Sequence, residues 1–451
     1  MKITLTRIAT LLALVYFATN VQAQAQTPAS QPISTTSVSG PTPSALSDGP
    51  AADPIQPAVS ENHSKGPAYF RRDGFWLSTN DGSTHVQVHG YVQADNRMFS
   101  SNQHGEEVDA FLFRRIRPLF EGTLFNNVDF RFMPDFGQNN PQIQEAFLEL
   151  KTLPFAKVRV GKFKEPIGLE ALRQDRDLTF AERSMASDLV PLRYIGAQIS
   201  GSVLSNSITY EGGYFDGSND GSNGVFTQWA HGNEAAARAF FHPFAKSNLT
   251  VMKDFGVGVG GSAGAQHGTI SGLKTIGQNT WFKYSSGAAA DGQHNRISPQ
   301  AYYYAGPFGI LGEYTISSQE VLNKGITGRV RNEAWQVETS VLLTGEKNGY
   351  TGVRARNSFE PGRGYGHFGA LELAFRYSQV SIGDAAFSNN FASASSAARF
   401  AGETGIGFNW YITRYVKLQT DYEHTGFRMA PGAKAPFHSE NLLLSQLQLA
   451  F

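Results

Sequence analysis

The chain has 451 residues, in which 38 lysines and arginines balance 38 aspartates and glutamates, and it contains no cysteine. Without cysteine there are no disulfides, thiolate metal sites or cysteine nucleophiles. The charge balance excludes a whole-protein attraction for nucleic acid. Glycine (47) and aromatic residues (17 Tyr, 33 Phe, 5 Trp) are abundant. With modest overall hydropathy, this suits strands having one apolar and one polar face better than continuous apolar runs.

At the amino terminus, Lys2 and Arg7 precede or open an apolar stretch, Ile8–Ala18, and Val21-Gln22-Ala23 offers small residues for cleavage after Ala23, with Ala25 as an alternative. Residues 1–23 therefore read as a secretory signal peptide, too short in its apolar part for a helical membrane span. No later segment has 18 consecutive apolar residues, and removing Lys2 and Arg7 leaves 36 basic against 38 acidic residues. Residues 24–66, rich in Pro, Ser, Thr, Ala and Gln, cannot bury enough surface to order themselves and read as a periplasmic leader. The folded part is expected over 67–451, long enough for two soluble domains or one large barrel.

Alternation organises the chain from Thr84 onward. Val86, Val88, Gly90, Val92 and Ala94 alternate with Gln87, His89, Tyr91, Gln93 and Asp95 in the first expected strand. The second, Ala110–Leu124, sets Leu112, Ile116, Phe120 and Leu124 against Arg115, Arg117, Glu121 and Thr123. After a turn at Asn126-Asn127, Val128, Phe130 and Phe132 oppose Asp129, Arg131 and Asp135. Further strands are expected at Gln142–Leu150, Lys157–Lys164, Arg193–Gly201, Ser207–Phe215, Glu234–Phe244, Leu249–Gly261 and Ser298–Gly306. The series ends with Phe308–Ile316, Val330–Leu342, Gly366–Val380, Glu403–Tyr411, Arg414–His424 and Asn441–Phe451, sixteen in all.

The last of these ends the chain on an aromatic residue. Phe451, Leu449, Leu447 and Leu443 share one face, and Gln448, Gln446 and Leu444 the other, as in an outer-membrane strand that closes against the first. An even count returns both ends to the periplasm and leaves no open edge. Links such as Phe125–Asn126, Pro307 and Ile412–Thr413 are short, whereas Glu165–Leu192, Asp216–Asn233, Ser262–Ile297 and Ala385–Gly402 on the opposite side are long. Two stretches fit this parity poorly: Glu346–Tyr365 is long on the short-link side, and Trp281–Ser285 reads as a strand inside an outer loop, which would raise the count to eighteen. Tyr214, Phe215, Trp335, Tyr377, Trp410, Tyr411 and Tyr415 near strand ends suit interfacial girdles, although sheets favour aromatics in any case.

If the apolar face meets lipid, Arg115, Arg117, Arg131 and Arg159 point into a lumen beside Glu121, Asp129 and Asp135. A sixteen-stranded barrel is wide enough for water, and arginines along its wall can hand anions onward or simply brace the wall through salt bridges. The long connection after the fifth strand is the expected constriction. It and its flanks carry Lys162, Lys164, Arg173, Arg176, Arg183 and Arg193 against Glu165, Glu170, Asp175, Asp177, Glu182 and Asp188. The histidines are scattered outside any recognisable catalytic motif, and no HExxH, phosphate-binding loop or EF-hand pattern occurs. No enzyme, cofactor or metal site is expected, so an outer-membrane enzyme and a structural or adhesin barrel are the rivals to a pore.

Through Phe113-Arg114-Arg115-Ile116-Arg117, Glu121-Gly122-Thr123-Leu124 and the run from Val160 to Glu170 (VGKFKEPIGLE), the chain bears a resemblance to the phosphate-selective porins O and P. The resemblance continues at Glu182-Arg183-Ser184 and Arg193-Tyr194-Ile195-Gly196, and extends from about Gly74 to Phe451. It implies a homotrimer of sixteen-stranded barrels among outer-membrane lipid and lipopolysaccharide. Each barrel would have its own pore, an inward-folded third outer loop, and basic side chains guiding phosphate or related small anions. By motif position, Lys162, Lys164 and Arg183 fall in the basic segment and Arg115 and Arg117 in the arginine-rich second strand. The acids beside these bases leave a weakly selective general-diffusion porin as the alternative.

Overall fold

The computed structural model describes residues 68–71, 74–100, 108–153, 155–217, 232–363, 366–394, 397–430, 433 and 439–451. The expected signal peptide and leader lie outside the described residues. In chain order the strands are β1 (Ala68–Arg71), β2 (Gly74–Ser78), β3 (His85–Phe99), β4 (Ala110–Leu124), β5 (Val128–Asp135), β6 (Gln142–Leu153) and β7 (Ala156–Lys164). Next come β8 (Arg193–Val203), β9 (Ile208–Phe215), β10 (Gly232–Phe241), β11 (Asp254–Thr269), β12 (Leu273–Lys274), β13 (Thr280–Phe282) and β14 (Ala288–Ala305). The rest are β15 (Phe308–Asn323), β16 (Ile326–Leu342), β17 (Ala370–Ser381), β18 (Ala398–Tyr411), β19 (Val416–Met429) and β20 (Glu440–Ala450).

From β3 each strand pairs antiparallel with the next, β11 passing directly to β14, and β20 returns to β3. Eighteen strands share this sheet, but β1 and β2 stand outside the ring, which leaves sixteen in the closed barrel. Closure ends on a reciprocal pair: Gly90 N–H donates to the Phe451 carbonyl and Phe451 N–H to the Gly90 carbonyl, each at 2.9 Å. Below Gly90, β3 runs on beyond the end of β20, and there β2 takes the vacated place, with Phe75 opposite Val88 and Ser78 opposite His85. The stretch Trp281–Ser285 contributes to a separate two-stranded hairpin, β12–β13, within the connection from β11 to β14.

Alternation sorts the two faces of the wall. On β20, Leu447 is 52% exposed and Gln446 0%. Leu443, Leu449 and Phe451 are likewise exposed, and Leu444 and Gln448 buried. One expected face is corrected. A bulge between Gln93/Ala94 of β3 and Arg115/Phe113 of β4 inserts Arg114, so Leu112 lies opposite the buried Asp95 on the inner face while Phe111 and Phe113 take the outer one. β11, β14 and β15 also run further than expected, to Thr269, from Ala288 and to Asn323. Beyond the membrane both faces of a strand can be polar, so the alternating signal fades while the backbone ladder continues.

Long connections meet at the rim opposite the carboxyl-terminal Phe451. Met185 and Leu189 from the β7–β8 connection, Trp281 and Phe282 from the β12–β13 hairpin, and Phe391 pack with Val321, Val330, Val380, Leu442 and Leu444 of the wall in one apolar cluster. At the short-link rim the β16–β17 connection turns back toward the barrel interior, burying Glu346, Asn348 and Tyr350.

Lipid exposure of β20 makes a direct prediction. Leu447→Arg should destabilise the folded barrel by about 2–4 kcal/mol, the range for a basic residue on the lipid face near the bilayer midplane. Leu447→Phe, which keeps the lipid face apolar, should cost much less. Chemical unfolding in lipid vesicles reads the difference, and equal costs would show that Leu447 does not face lipid.

Candidate functional site

β4 delivers two guanidinium groups side by side because Arg115 and Arg117 share one face of the strand. Arg115 donates to Gln93 Oε1 at 2.8 Å and to Glu182 Oε2 at 3.1 Å. Arg117 donates to Asp135 Oδ2 at 2.6 Å, to the Tyr91 hydroxyl at 2.9 Å and to Asp175. Arg131 on β5 bridges Glu121 at 2.7 Å and Glu145 at 3.2 Å. Arg159 on β7 pairs with Glu149 at 2.6 Å and covers the Phe147 ring. Arg193, where β8 begins, reaches Glu145 at 3.2 Å and Asp175 at 3.4 Å.

Asp175, in the β7–β8 connection, is the centre of this cluster. It meets Arg115, Arg117, Arg183 and Arg193, with the Arg183 contact at 2.5 Å. Burial alone would push its carboxyl up, but the arginines, Arg183 and Arg117 foremost, outweigh that and hold it well below the usual carboxylate range. Glu182, in the same connection, is likewise penalised by burial and held low by Arg114, Arg115 and Arg97. A cavity of about 120 Å³ opens here, lined by Arg114, Arg115, Arg117, Arg183 and Arg193 with Asp135 and Asp175.

Of the other sequence-selected bases, Lys164 borders this cluster, its ammonium sharing the Arg173 carbonyl with Arg183, while Arg173 and Arg176 turn to other partners. Arg173 crosses to Glu338 on β16 at 2.9 Å and donates to the Tyr350 carbonyl at 3.2 Å. Lys164 is turned to the backbone, donating to the carbonyls of Leu172 and Arg173. Arg176 lies 3.8 Å from Asp177, and its own carbonyl accepts from Lys417 at 3.0 Å. Lys162 is buried on β7, between Ala146 and Ile195 in register.

The β7–β8 connection is tied to the far wall along its length. Leu169 N–H donates to Glu313 at 2.6 Å on β15, Ala181 N–H to Asp421 at 2.8 Å on β19, and Asn409 of β18 to the Thr179 carbonyl at 2.7 Å. Glu170 accepts from Ser184 N–H, Ser184 Oγ, Ser187 Oγ and Gln336 Nε2 at 3.0, 2.7, 3.0 and 2.9 Å. Arg376, fully buried on β17, joins Glu403 at 2.7 Å and Glu423 at 2.9 Å and donates to the Glu182 carbonyl at 2.8 Å. From the short-link rim, the Tyr350 hydroxyl donates to the Leu169 carbonyl at 2.6 Å.

Sequence reasoning passed over Arg97, Glu313, Glu338, Tyr350, Arg376, Glu403 and Glu423. The inward parity of Arg376 within ALELAFRYSQVS was a usable signal, whereas nothing in the run 343–369 marks Tyr350 as turning inward. Among the described residues no group of three or more His, Asp or Glu side chains is placed to hold a metal ion.

A closed antiparallel ring, apolar outside and charged within, is the architecture of an outer-membrane β-barrel. The chain belongs to the phosphate-selective porin O and P family, which it matches over residues 86–451. Porin O of Pseudomonas aeruginosa is 22% identical over 388 aligned residues, covering 78% of this chain and 85% of that protein. Among solved structures, the outer-membrane channel DcaP of Acinetobacter baumannii superposes with a TM-score of 0.54 at 11% identity, over 84% of this chain and 100% of that one. OmpF of Salmonella typhi gives a TM-score of 0.53 at 13% identity, over 83% and 100% of the respective chains. The protein is thus an outer-membrane porin of a Gram-negative bacterium, a barrel for passive diffusion of small solutes.

Glu170→Ala should free the β7–β8 connection locally. It leaves buried donors of Ser184, Ser187 and Gln336 without their acceptor, at about 1–3 kcal/mol for each group left unsatisfied. Amide hydrogen exchange across 169–189 should speed up while the strands stay protected. Unchanged exchange there would show that Glu170 does not hold the connection.

Proposed function

We propose that this porin passes small hydrophilic solutes with a weak preference for anions, phosphate-like oxyanions among them. The β7–β8 connection, residues 165–192, serves as its inward-folded constriction. The observation that carries the reading is the charge pairing around Asp175. Seven guanidinium groups (Arg97, Arg114, Arg115, Arg117, Arg131, Arg183, Arg193) interlace with six carboxylates (Asp95, Glu121, Asp135, Glu145, Asp175, Glu182). A passing anion meets donors already engaged by acids, so its attraction is the small residue of a near-cancellation. Such contacts bind weakly enough to release, which suits diffusion. The ties from Leu169, Thr179 and Ala181 to β15, β18 and β19 support a constriction held at several points. Assembly as a homotrimer, which the resemblance to porins O and P implies, belongs to the same proposal, and the mass of the purified protein in detergent tests it.

Reversal potentials across planar bilayers, in chloride and then phosphate gradients, test the selectivity. Wild type should show a small anion preference. Arg115→Gln with Arg117→Gln should reduce it, by roughly fivefold in permeability ratio for each kcal/mol of lost attraction. Asp175→Asn should raise it by a similar factor. Cation preference, or no conductance at all, would overturn the proposal, the latter leaving a sealed structural barrel.

The lowered pKa of Asp175 sets the pH response. Its stabilising charge is present above the ordinary carboxyl range and is lost only as pH falls through the lowered folded-state value. Acidifying wild type from about pH 7 to about pH 5 should therefore not reproduce the Asp175→Asn selectivity. A reversal potential that moves to the mutant's value over that interval would contradict the assignment.

A further inference from the structure

The outer face of the wall carries a second feature, independent of the lumen. Phe375, Ile406 and Tyr422 lie side by side across β17, β18 and β19, exposed and apolar. One row nearer the long-loop rim come Tyr377, Thr404 and His424, and the next row sets Gly402 opposite Gly426. Beyond these, Phe400 stands opposite Arg428. The wall thus changes from apolar to polar at the Tyr377 row, the level where the outer leaflet's hydrocarbon gives way to headgroups.

The paired glycines leave a groove of about 260 Å³ whose lining holds no carboxylate. A Cβ added to Gly402 would lie 3.2 Å from the Phe400 ring and 3.4 Å from the Tyr377 hydroxyl, and one on Gly426 would lie 4.0 Å from His424 Nε2. Two polar heads therefore converge over a floor without side chains. Tyr377 is backed by Trp335, ring centroids 5.2 Å apart. The His424 ring is oriented by Nδ1, 2.7 Å from Asn441 Oδ1. With Nδ1 donating there, Nε2 faces the groove as an acceptor on the neutral ring and as a donor once protonated. Arg428 is exposed, its guanidinium 5.0 Å from the Phe400 ring centroid, and among the described residues it makes no ion pair. The nearest acids of these strands, Glu403 and Glu423, are buried with Arg376.

We propose that this groove seats the phosphorylated sugar headgroup of an outer-leaflet glycolipid, lipid A. The phosphate sits on Arg428, the sugar ring lies over the two glycines between Tyr377 and Phe400, and an acyl chain runs down the Phe375–Ile406–Tyr422 surface. Charge complementarity and the position at the apolar boundary select this occupant. Guanidinium binds phosphate through a fork of donors, and aromatic walls over a bare backbone floor accept a flat sugar face.

The test uses the full-length barrel purified in mild detergent, with lipid A binding followed by native mass spectrometry. Arg428→Gln should weaken binding of bis-phosphorylated lipid A roughly tenfold, as expected for loss of a charge-assisted contact. Gly402→Leu, which fills the groove, should abolish it, and Arg329→Gln on β16 should not change it. Lipid A stripped of phosphate should bind wild type no better than the phosphorylated form binds Arg428→Gln. Equal binding by wild type and Arg428→Gln would overturn the proposal, as would equal competition by phosphatidylglycerol. So would a Gly402→Leu variant that alters oligomeric state while lipid binding persists, since a second barrel would then be the occupant. Conductance should be unaltered in all these variants, which separates failure here from failure of the pore proposal. If Gly402→Leu does not fold, Arg428→Gln decides alone.

Discussion

In hydrocarbon a backbone amide has no water to bond, so every peptide group in the wall must find its partner within the protein. The pairing of β20 with β3 meets that constraint, and the rest of the structure depends on it. Once the ring is closed, period-two alternation has a fixed meaning: one set of side chains touches lipid and the other is enclosed. The same demand explains β2. Where β20 stops at Phe451, the remaining edge of β3 would be open, and the β1–β2 hairpin covers it.

Closure also creates a problem that strands cannot solve alone. A ring of sixteen is too wide for inward side chains to meet across it. Here the polar backbone of the β7–β8 connection bonds to side chains of the wall, Glu313, Asn409 and Asp421 among them. Guanidinium groups placed in such a confined interior need carboxylates beside them, because an unpaired buried charge costs several kcal/mol. Asp175 and Glu182 meet that need for arginines of β4 and β8. The pairing that lets the arginines stay buried also blunts the field they would otherwise present to a passing anion.

Much of the ring is legible in the sequence, because lipid imposes a strict alternation on the segments that cross it. Ala110–Leu124 matches the observed strand end for end, and Gln446 and Leu447 fall on the faces their parity predicts. Legibility fails where that pressure stops. The glycine-rich continuation of β11 to Thr269 has no apolar alternation, and the bulge at Arg114 shifts the parity of Leu112 without any local mark. β12 and β13 pair only with each other, in a connection where the sequence shows one short strand-like run.

The charged interior divides along the same line. The identity of the arginines, their inward parity on β4 and β5, and the presence of a long acidic and basic connection after Lys164 were all determined by the sequence itself, since each is a local property of a strand or its neighbour. Which acid meets which base was decided only by the tertiary structure. Arg173 with Glu338, Arg376 with Glu170 and the four arginines around Asp175 come together through the β7–β8 connection, and Arg376 meets Glu403 and Glu423 across neighbouring strands of the wall. Those distances depend on ring width and on where the connection turns, and neither is written in the spacing of the residues along the chain.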